Sequence, residues 1–152
     1  MSENTLPTVA VRAARAADRA AIERLLGAAG LPLAGVADHL GEFLVAITSA
    51  GIVGTVAVES YPPSGLLRSV AVDASQRGRG LGALMTLRAI ERARSRGLAA
   101  LYLLTTTASE YFSRFGFRAV PKAALPPEVG ASEELKGACP DTAVCMELRL
   151  SN

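Results

Sequence analysis

Histidine, cysteine and aromatic side chains are scarce in this 152-residue chain, and no apolar run is long enough to span a bilayer. One histidine, His39, and two cysteines, Cys139 and Cys145, leave little material for a metal centre. The six-residue separation of the cysteines matches no recognised ligand spacing, so no metal is expected. Met1 to Val11 lacks a charged segment followed by an apolar one. A signal peptide is therefore not expected, and two cysteines then read as reduced thiols of a cytoplasmic protein. Gly-Lys-Ser/Thr is absent, which excludes a Walker A phosphate loop. Charge of one sign is lacking too. A net charge of +2 is small for a duplex binder, and the arginines between Arg77 and Arg96 are interrupted by Glu91 with no aromatics interleaved for base stacking. Neither nucleic acid nor membrane is expected as a partner.

What is present is a globular composition, 50% hydrophobic and 20% charged, in a length that suits one domain over residues 1–152. Thr8 to Arg12 alternates like a strand. Asp18 offers an N-cap to a helix with Ile22, Leu25 and Leu26 on one face, ended by Gly30 and Pro32. Val36 to Leu40 reads as a short second helical piece. Phe43 to Thr48, Ile52 to Ser60 and Leu66 to Val72 are strands on short connections, Ser49-Ala50-Gly51 and Tyr61 to Gly65, and imply an antiparallel meander. A glycine-rich loop then opens a long helix, Gly80 to Arg96, presenting Leu84, Leu87 and Ile90 on one side. Ala100 to Thr105 is an apolar strand, Ser109 to Phe115 a short helix and Phe117 to Val120 a further strand. Pro121 to Pro140 is irregular with one helical turn, and Ala143 to Leu150 alternates like a final strand. The sum is a mixed sheet with an antiparallel first half and one parallel crossover, an α+β or mixed α/β domain.

The loop after Val70-Ala71-Val72 carries the clearest chemistry. Gly78, Gly80 and Gly82 remove side chains where the backbone turns tightly and approaches another group. The unpaired N–H groups and positive dipole end of the following helix point into this loop, an arrangement that binds phosphate oxygens without a metal. Arg77 and Arg79 add charge at its rim. Three alternating glycines exceed what an ordinary turn needs. Gly78-x-Gly80-x-x-Ala83 formally matches the dinucleotide fingerprint, which belongs after the first strand of a parallel unit with an acid about twenty residues further on. Here three antiparallel strands come first and the corresponding positions are Leu103, Leu104 and Thr105, so the dinucleotide reading fails.

Arg77, Gly80 and Gly82 satisfy Arg-x-x-Gly-x-Gly. With the strand Leu67 to Val72 and the helix end Arg114-Phe115-Gly116-Phe117, this loop resembles the GCN5-related N-acetyltransferase (GNAT) superfamily over nearly the whole chain. The resemblance implies a fold whose fourth strand splays from the fifth, with the pantetheine arm of acetyl-CoA in the gap. Backbone groups of Val70 and Val72, flanking Ala71, would pair with that arm and the acetyl carbonyl. Amides from Gly78 through Arg79, Gly80, Leu81, Gly82 and Ala83 would hold the pyrophosphate, with Arg77 beside them and Thr105 completing the cofactor set. The implied mechanism is direct transfer, in which a neutral amine attacks the thioester and backbone N–H groups stabilise the developing oxyanion.

The catalytic pattern departs from the family's. The tyrosine that many relatives carry four residues before the Gly-Phe pair falls at Phe112, which has no proton to give. Tyr111 is adjacent but lies about 100° around the helix, where packing is as good a reading as proton donation. A fifth-strand glutamate that serves some relatives as base is replaced by Leu103 and Leu104. Glu59 is then the nearest carboxylate for deprotonating an ammonium through water, with a solvated strand end as its other reading. Arg68 and its neighbour Ser69 are the substrate candidates. A guanidinium there can clamp a carboxylate bidentately, and one residue of register decides which face it takes. His39 reads as structural or solvent-exposed.

Leu103 to Thr107 and Cys139 to Met146 resemble the ArsN2 branch, acetyltransferases associated with arsenic-resistance gene clusters. The Leu-Thr-Thr strand end, with Tyr111-Phe112 and Phe115-Gly116-Phe117, is also similar to the acetyltransferase domain of N-acetylglutamate synthases, without the amino-acid-kinase domain that many of those carry. The resemblance implies acetylation of the primary amine of a small amino-acid-like molecule, with arsenic resistance as a setting. The alternative is an inactive acetyl-CoA-binding or arsenic-responsive sensory protein of the same fold. Two thiolates are a minimal soft site for arsenic(III). Against that, Cys145 reads as a buried strand residue and Cys139, before Pro140, as exposed. The expected partner is a small-molecule amine acceptor, and a homodimer is left open.

Overall fold

The computed structural model describes residues 8–130 and 143–150. Seven strands form one sheet in the order β1-β2-β3-β4-β5-β7-β6. They are β1 (Ala10–Ala13), β2 (Phe43–Thr48), β3 (Gly51–Tyr61), β4 (Ser64–Val72), β5 (Ala100–Thr105), β6 (Arg118–Val120) and β7 (Val144–Arg149). Every neighbouring pair is antiparallel except β4–β5. The helices are α1 (Arg19–Ala28), α2 (Leu81–Ser95), α3 (Ser109–Ser113) and α4 (Pro127–Gly130). The sheet is thus mixed and mostly antiparallel, with its one parallel crossover carried by α2. Among the described residues no helix is long and apolar enough to cross a membrane.

Two apolar layers hold the helices to opposite faces of the sheet. On one, Leu81, Met85, Ala89 and Ala93 recur every fourth residue along α2 and pack against Val56, Val58, Leu67, Leu101 and Met146. Of the expected face Leu84, Leu87 and Ile90, Ile90 is buried and Leu84 packs against this layer, but Leu87 is 51% exposed. Leu87 stands two residues from both Met85 and Ala89, about 200° of rotation away from each. On the other face Ile22, Leu25 and Leu26 of α1 meet Phe43, Val45, Ala57 and Ala71.

Asp18 directly precedes α1 but does not cap it. A 3₁₀ turn, Ala16–Asp18, comes first, and the Asp18 carboxylate accepts from the Arg15 amide (2.8 Å) and from Arg12 (2.7 and 3.1 Å). Val36 to Leu40 is a series of turns, with a 3₁₀ turn only at Leu40–Glu42.

β4 carries the irregularity that opens the sheet. Its register against β3 runs Val72–Gly54 and Ala71–Thr55, then jumps to Arg68–Ala57. Ser69 and Val70 therefore face Val56 alone, a β-bulge. Ser69 has φ 63°, the one positive value among described non-glycine residues. Such a backbone costs about 1–2 kcal/mol and persists only where its surroundings enforce it. The extra residue also reverses the side-chain alternation. Leu67 before the bulge and Val70 and Val72 after it all face α2, whereas Arg68 lies on the α1 side, 5.9 Å over the Phe43 ring. β4 and β5 pair only at Ser64–Ala100, Gly65–Leu101 and Leu66–Tyr102. Beyond that point they part.

Candidate functional site

The parted strands enclose a cleft of about 960 Å³. Leu67 to Val72 of β4 and Leu103 to Thr105 of β5 form its sides. The start of α2 closes one end, the segment Ala29 to Pro32 after α1 contributes another wall, and Tyr111 and Phe112 of α3 cover it together with Arg114, the residue after that helix.

At the α2 end, Gly78 and Gly80 both have φ 81°, the left-handed conformation that a side chain resists. Gly80 is the residue before the helix, and its carbonyl accepts the Leu84 amide at 3.0 Å. The amides of Leu81, Gly82 and Ala83 therefore precede the first intrahelical bond and face the cleft with the positive end of the helix dipole. Gly82 serves a different need: a Cβ there would stand 3.0 Å from the Tyr111 hydroxyl. Asp73 gives its amide to Val53 of β3 at 2.8 Å, so the alternation of an antiparallel ladder turns the Val72 backbone toward the gap. Arg77 follows it there, donating from Nε to the Val72 carbonyl at 3.2 Å. Arg77, Gly78, Gly80, Leu81, Gly82, Ala83, Val70, Ala71, Val72 and Thr105 all line the cleft. Arg79 does not; it is exposed and reaches Gln76 Oε1 at 3.4 Å. Thr105 Oγ1 accepts the Ala108 amide at 3.0 Å, shaping the turn into α3.

Glu59 is not a solvated strand end. It is fully buried on β3 and forms an ion pair with Arg68 Nη1 at 2.9 Å, while the Tyr61 hydroxyl donates to its other oxygen. It does not line the cleft. A carboxylate so enclosed is poorly placed to relay a proton from an incoming ammonium. Arg68 does line the cleft, yet its guanidinium is engaged on all three nitrogens: Nε with Ser69 Oγ (2.8 Å), Nη1 with Glu59 and the Ala34 carbonyl, and Nη2 with the Pro32 carbonyl (3.1 Å). The expected bidentate clamp on a substrate carboxylate is thus directed inward. Arg68 ties the strained Ser69 to the Ala29–Pro32 wall, so both sides of this end of the cleft depend on one side chain.

On α3 the Tyr111 ring lines the cleft and its hydroxyl is buried without a hydrogen-bond partner among the described residues. Phe112 packs edge-on against Phe117, ring centres 5.9 Å apart. The Arg114 guanidinium rests over the Tyr111 ring, 5.8 Å from its centre. His39 is structural, with Nδ1 2.9 Å from Glu42 Oε1, outside the cleft. Cys145 is buried in β7, and that burial pushes its thiol pKa up, which disfavours the thiolate. Cys139 lies outside the described residues. The titratable side chains that line the described cleft are three arginines and a tyrosine, with no carboxylate or imidazole among them.

Sequence reasoning missed the Ala29–Pro32 wall and Arg114. Gly30 and Pro32 marked a helix end, but nothing local said which part of the sheet that loop crosses. Arg114 stood inside a recognised motif, and its cation–π seat on Tyr111 appears only in three dimensions.

Solved structures share this architecture. N-acetylglutamate synthase from Neisseria gonorrhoeae, complexed with coenzyme A and N-acetyl-glutamate, superposes with a TM-score of 0.83 at 22% identity over 97% of this chain. This chain spans only 36% of that one. Rv2747 from Mycobacterium tuberculosis, in complex with CoA and NLQ, matches with a TM-score of 0.80 at 26% identity, covering 93% of this chain and 99% of that one. The ribosomal-protein-S18-alanine N-acetyltransferase from Escherichia coli gives 0.75 at 16% identity, with coverage of 95% and 96%. No curated protein matches the sequence significantly. Residues 39–119, more than half the chain, match the family described as the acetyltransferase (GNAT) domain. That stretch holds the meander, the bulged strand, the glycine loop and α3, and by it the chain belongs to the GNAT acetyltransferase family.

Proposed function

We propose that the protein transfers the acetyl group of acetyl-CoA to the primary amine of a small, amino-acid-like acceptor. The observation that carries this reading is the cleft itself: a bulged strand parted from its parallel neighbour, with open helix amides at one end and a wall pinned by Arg68 beside it. The residues fit acetyl-CoA. The amides of Leu81, Gly82 and Ala83 suit a diphosphate, Arg77 and Arg114 balance its charge, and the backbone of Val70 and Val72 suits the amide-bearing arm. Acetyl-CoA supplies the activated thioester. The chain's own part is alignment and exclusion of water: Leu67, Leu103 and Phe112 line the gap with apolar surface, and the β4 backbone beyond the bulge orients the arm.

With no carboxylate or imidazole in the described lining, the amine enters neutral or loses its proton to water, and neighbouring arginines disfavour the ammonium form. Ser69 flanks the acceptor end, where Arg68 holds its hydroxyl oxygen so that its proton is left to point elsewhere. Arg68 serves the acceptor through this positioning.

The likeness to an N-acetylglutamate synthase complexed with N-acetyl-glutamate supports an amino-acid-like acceptor. A narrower form of the reading has an amine-bearing arsenical in that place and is supported by the segments Leu103 to Thr107 and Cys139 to Met146. A cytoplasmic setting belongs to the same reading. The test is a thiol-release assay over α-amino acids, glutamate among them, and amine-bearing arsenicals. At least one acceptor should release free thiol in step with acetylated product. Tight acetyl-CoA binding with no thiol released from any acceptor would overturn the transferase reading in favour of a binding or sensory protein.

A further inference from the structure

The Tyr111 hydroxyl is one of two buried side-chain polar atoms without a hydrogen-bond partner among the described residues, the other being Thr55 Oγ1. A phenol sealed from water and left unpaired is costly, and a bound group that accepts its proton removes that cost. Its position says which group. The oxygen stands 3.0 Å from where a Cβ of Gly82 would be, against the first turn of α2. The ring is held there by edge-on contacts with Phe112 (5.1 Å between centres) and Phe115 (5.3 Å), and by the Arg114 guanidinium over its face. The amides of Leu81, Gly82 and Ala83 belong to this same turn, so a small swing of the ring off Gly82 would carry the hydroxyl from its closed seat to a phosphate oxygen held before them. The reacting sulfur belongs at the other end of the pantetheine arm, away from this turn.

We propose that Tyr111 is a ligand of the cofactor's diphosphate: its hydroxyl donates to a phosphate oxygen that the α2 amides hold from the other side, and it does not protonate the departing thiolate. Gly82 is then required to leave room for this oxygen. The inference rests on acetyl-CoA being the donor, and its test separates the two.

Calorimetric titration of the native protein and Tyr111→Phe with CoA, dephospho-CoA and pantetheine reads the contact directly. A hydrogen bond to a charged phosphate corresponds to roughly a ten- to hundredfold change in affinity. Tyr111→Phe should weaken CoA and dephospho-CoA by the same factor within that range, and leave pantetheine, which has no diphosphate, unchanged. Gly82→Ala, which sets a methyl group against the hydroxyl, should weaken the same two ligands. The chain has no tryptophan, so near-ultraviolet absorption reports its three tyrosines. A CoA-induced change should be present in the native protein and reduced in Tyr111→Phe. Unchanged CoA affinity with slower turnover of both acetyl-CoA and S-acetylpantetheine would overturn the proposal and return Tyr111 to the sulfur. Equal weakening of pantetheine and CoA would place the hydroxyl on the arm and also overturn it. Failure of the native protein to bind CoA would instead remove the donor assignment itself.

Discussion

β4 and β5 run side by side in two ways. At the closed end, Ser64 to Leu66 pair with Ala100 to Tyr102, and Gly65 lets the layers come so close that a Cβ there would meet Leu98 at 2.8 Å. At the open end, Leu67 to Val72 leave Leu103 to Thr105 and make a cleft. Apolar residues fill both. The difference follows one inserted residue, Ser69, whose backbone is left-handed and whose hydroxyl oxygen accepts from the buried Arg68 guanidinium. A gap in a sheet leaves backbone N–H and C=O groups unpaired, and such groups are tolerated only where something else will satisfy them. The closed end is held by strand pairing and close packing, whereas the bulge at the open end stands beside a buried ion pair, Arg68 with Glu59.

Breaking that ion pair gives the largest effect. Glu59→Gln leaves Arg68 charged and buried without its carboxylate, a change that typically costs about 3–5 kcal/mol. Denaturant unfolding should show this loss, and CoA affinity of the folded fraction should fall because Ser69 and the Ala29–Pro32 wall lose their tether. Unaltered CoA affinity at reduced stability would mean that the bulge holds itself. Gly65→Ala tests the closed end and should cost less, about 1–3 kcal/mol for one methyl group forced into filled space. Its CoA affinity should match the native protein's. A comparable loss of binding would show that the two ends are not separable.

Much of this contrast was open to a reader of the chain. Phe43 to Thr48 and Ala100 to Thr105 coincide with β2 and β5, and the glycine loop leads into α2 within one residue of the expected start. These features are local: alternation, an apolar run and glycines at a turn act within a few residues. The bulge is invisible by the same logic, because Ser69 is an ordinary strand residue until pairing with β3 shows two residues against one. Glu59 looked solvated because its partner is nine residues away and meets it only across the β3–β4 ladder. Leu87 fitted a helical stripe but not the one that the sheet covers. The donor was legible from a motif. The acceptor end was not, since its parts come from β4, the segment after α1 and α3.

The smallest effect concerns pH, and it separates the same two regions. Flanking the closed end, Glu147 of β7 accepts from the Tyr102 hydroxyl (2.8 Å) and from Arg118 (3.1 Å). Burial alone would push its pKa up. The hydrogen bonds from Tyr102 and Arg118, with the charges of Arg149 and Arg118, outweigh burial and hold it below the usual glutamate value. Asp18 is likewise lowered, chiefly by its hydrogen bond from Arg12. A carboxylate depressed in the folded state contributes stability that is fully present above its unfolded pKa, about 4 for these groups, and is lost as pH falls through the folded value. The unfolding midpoint should therefore hold steady from neutrality to about pH 5 and drop below about pH 4. Glu147→Gln should shrink that acid limb by less than Gly65→Ala lowers the midpoint at neutral pH. The cleft has no such groups in its described lining, so kcat/KM should rise with pH through the neutral range along the acceptor's own amine titration. It should shift when an acceptor of different amine pKa is used. An inflection between pH 6 and 7 that stays fixed across acceptors would reveal a protein base and would end the account of an open end that works by alignment alone.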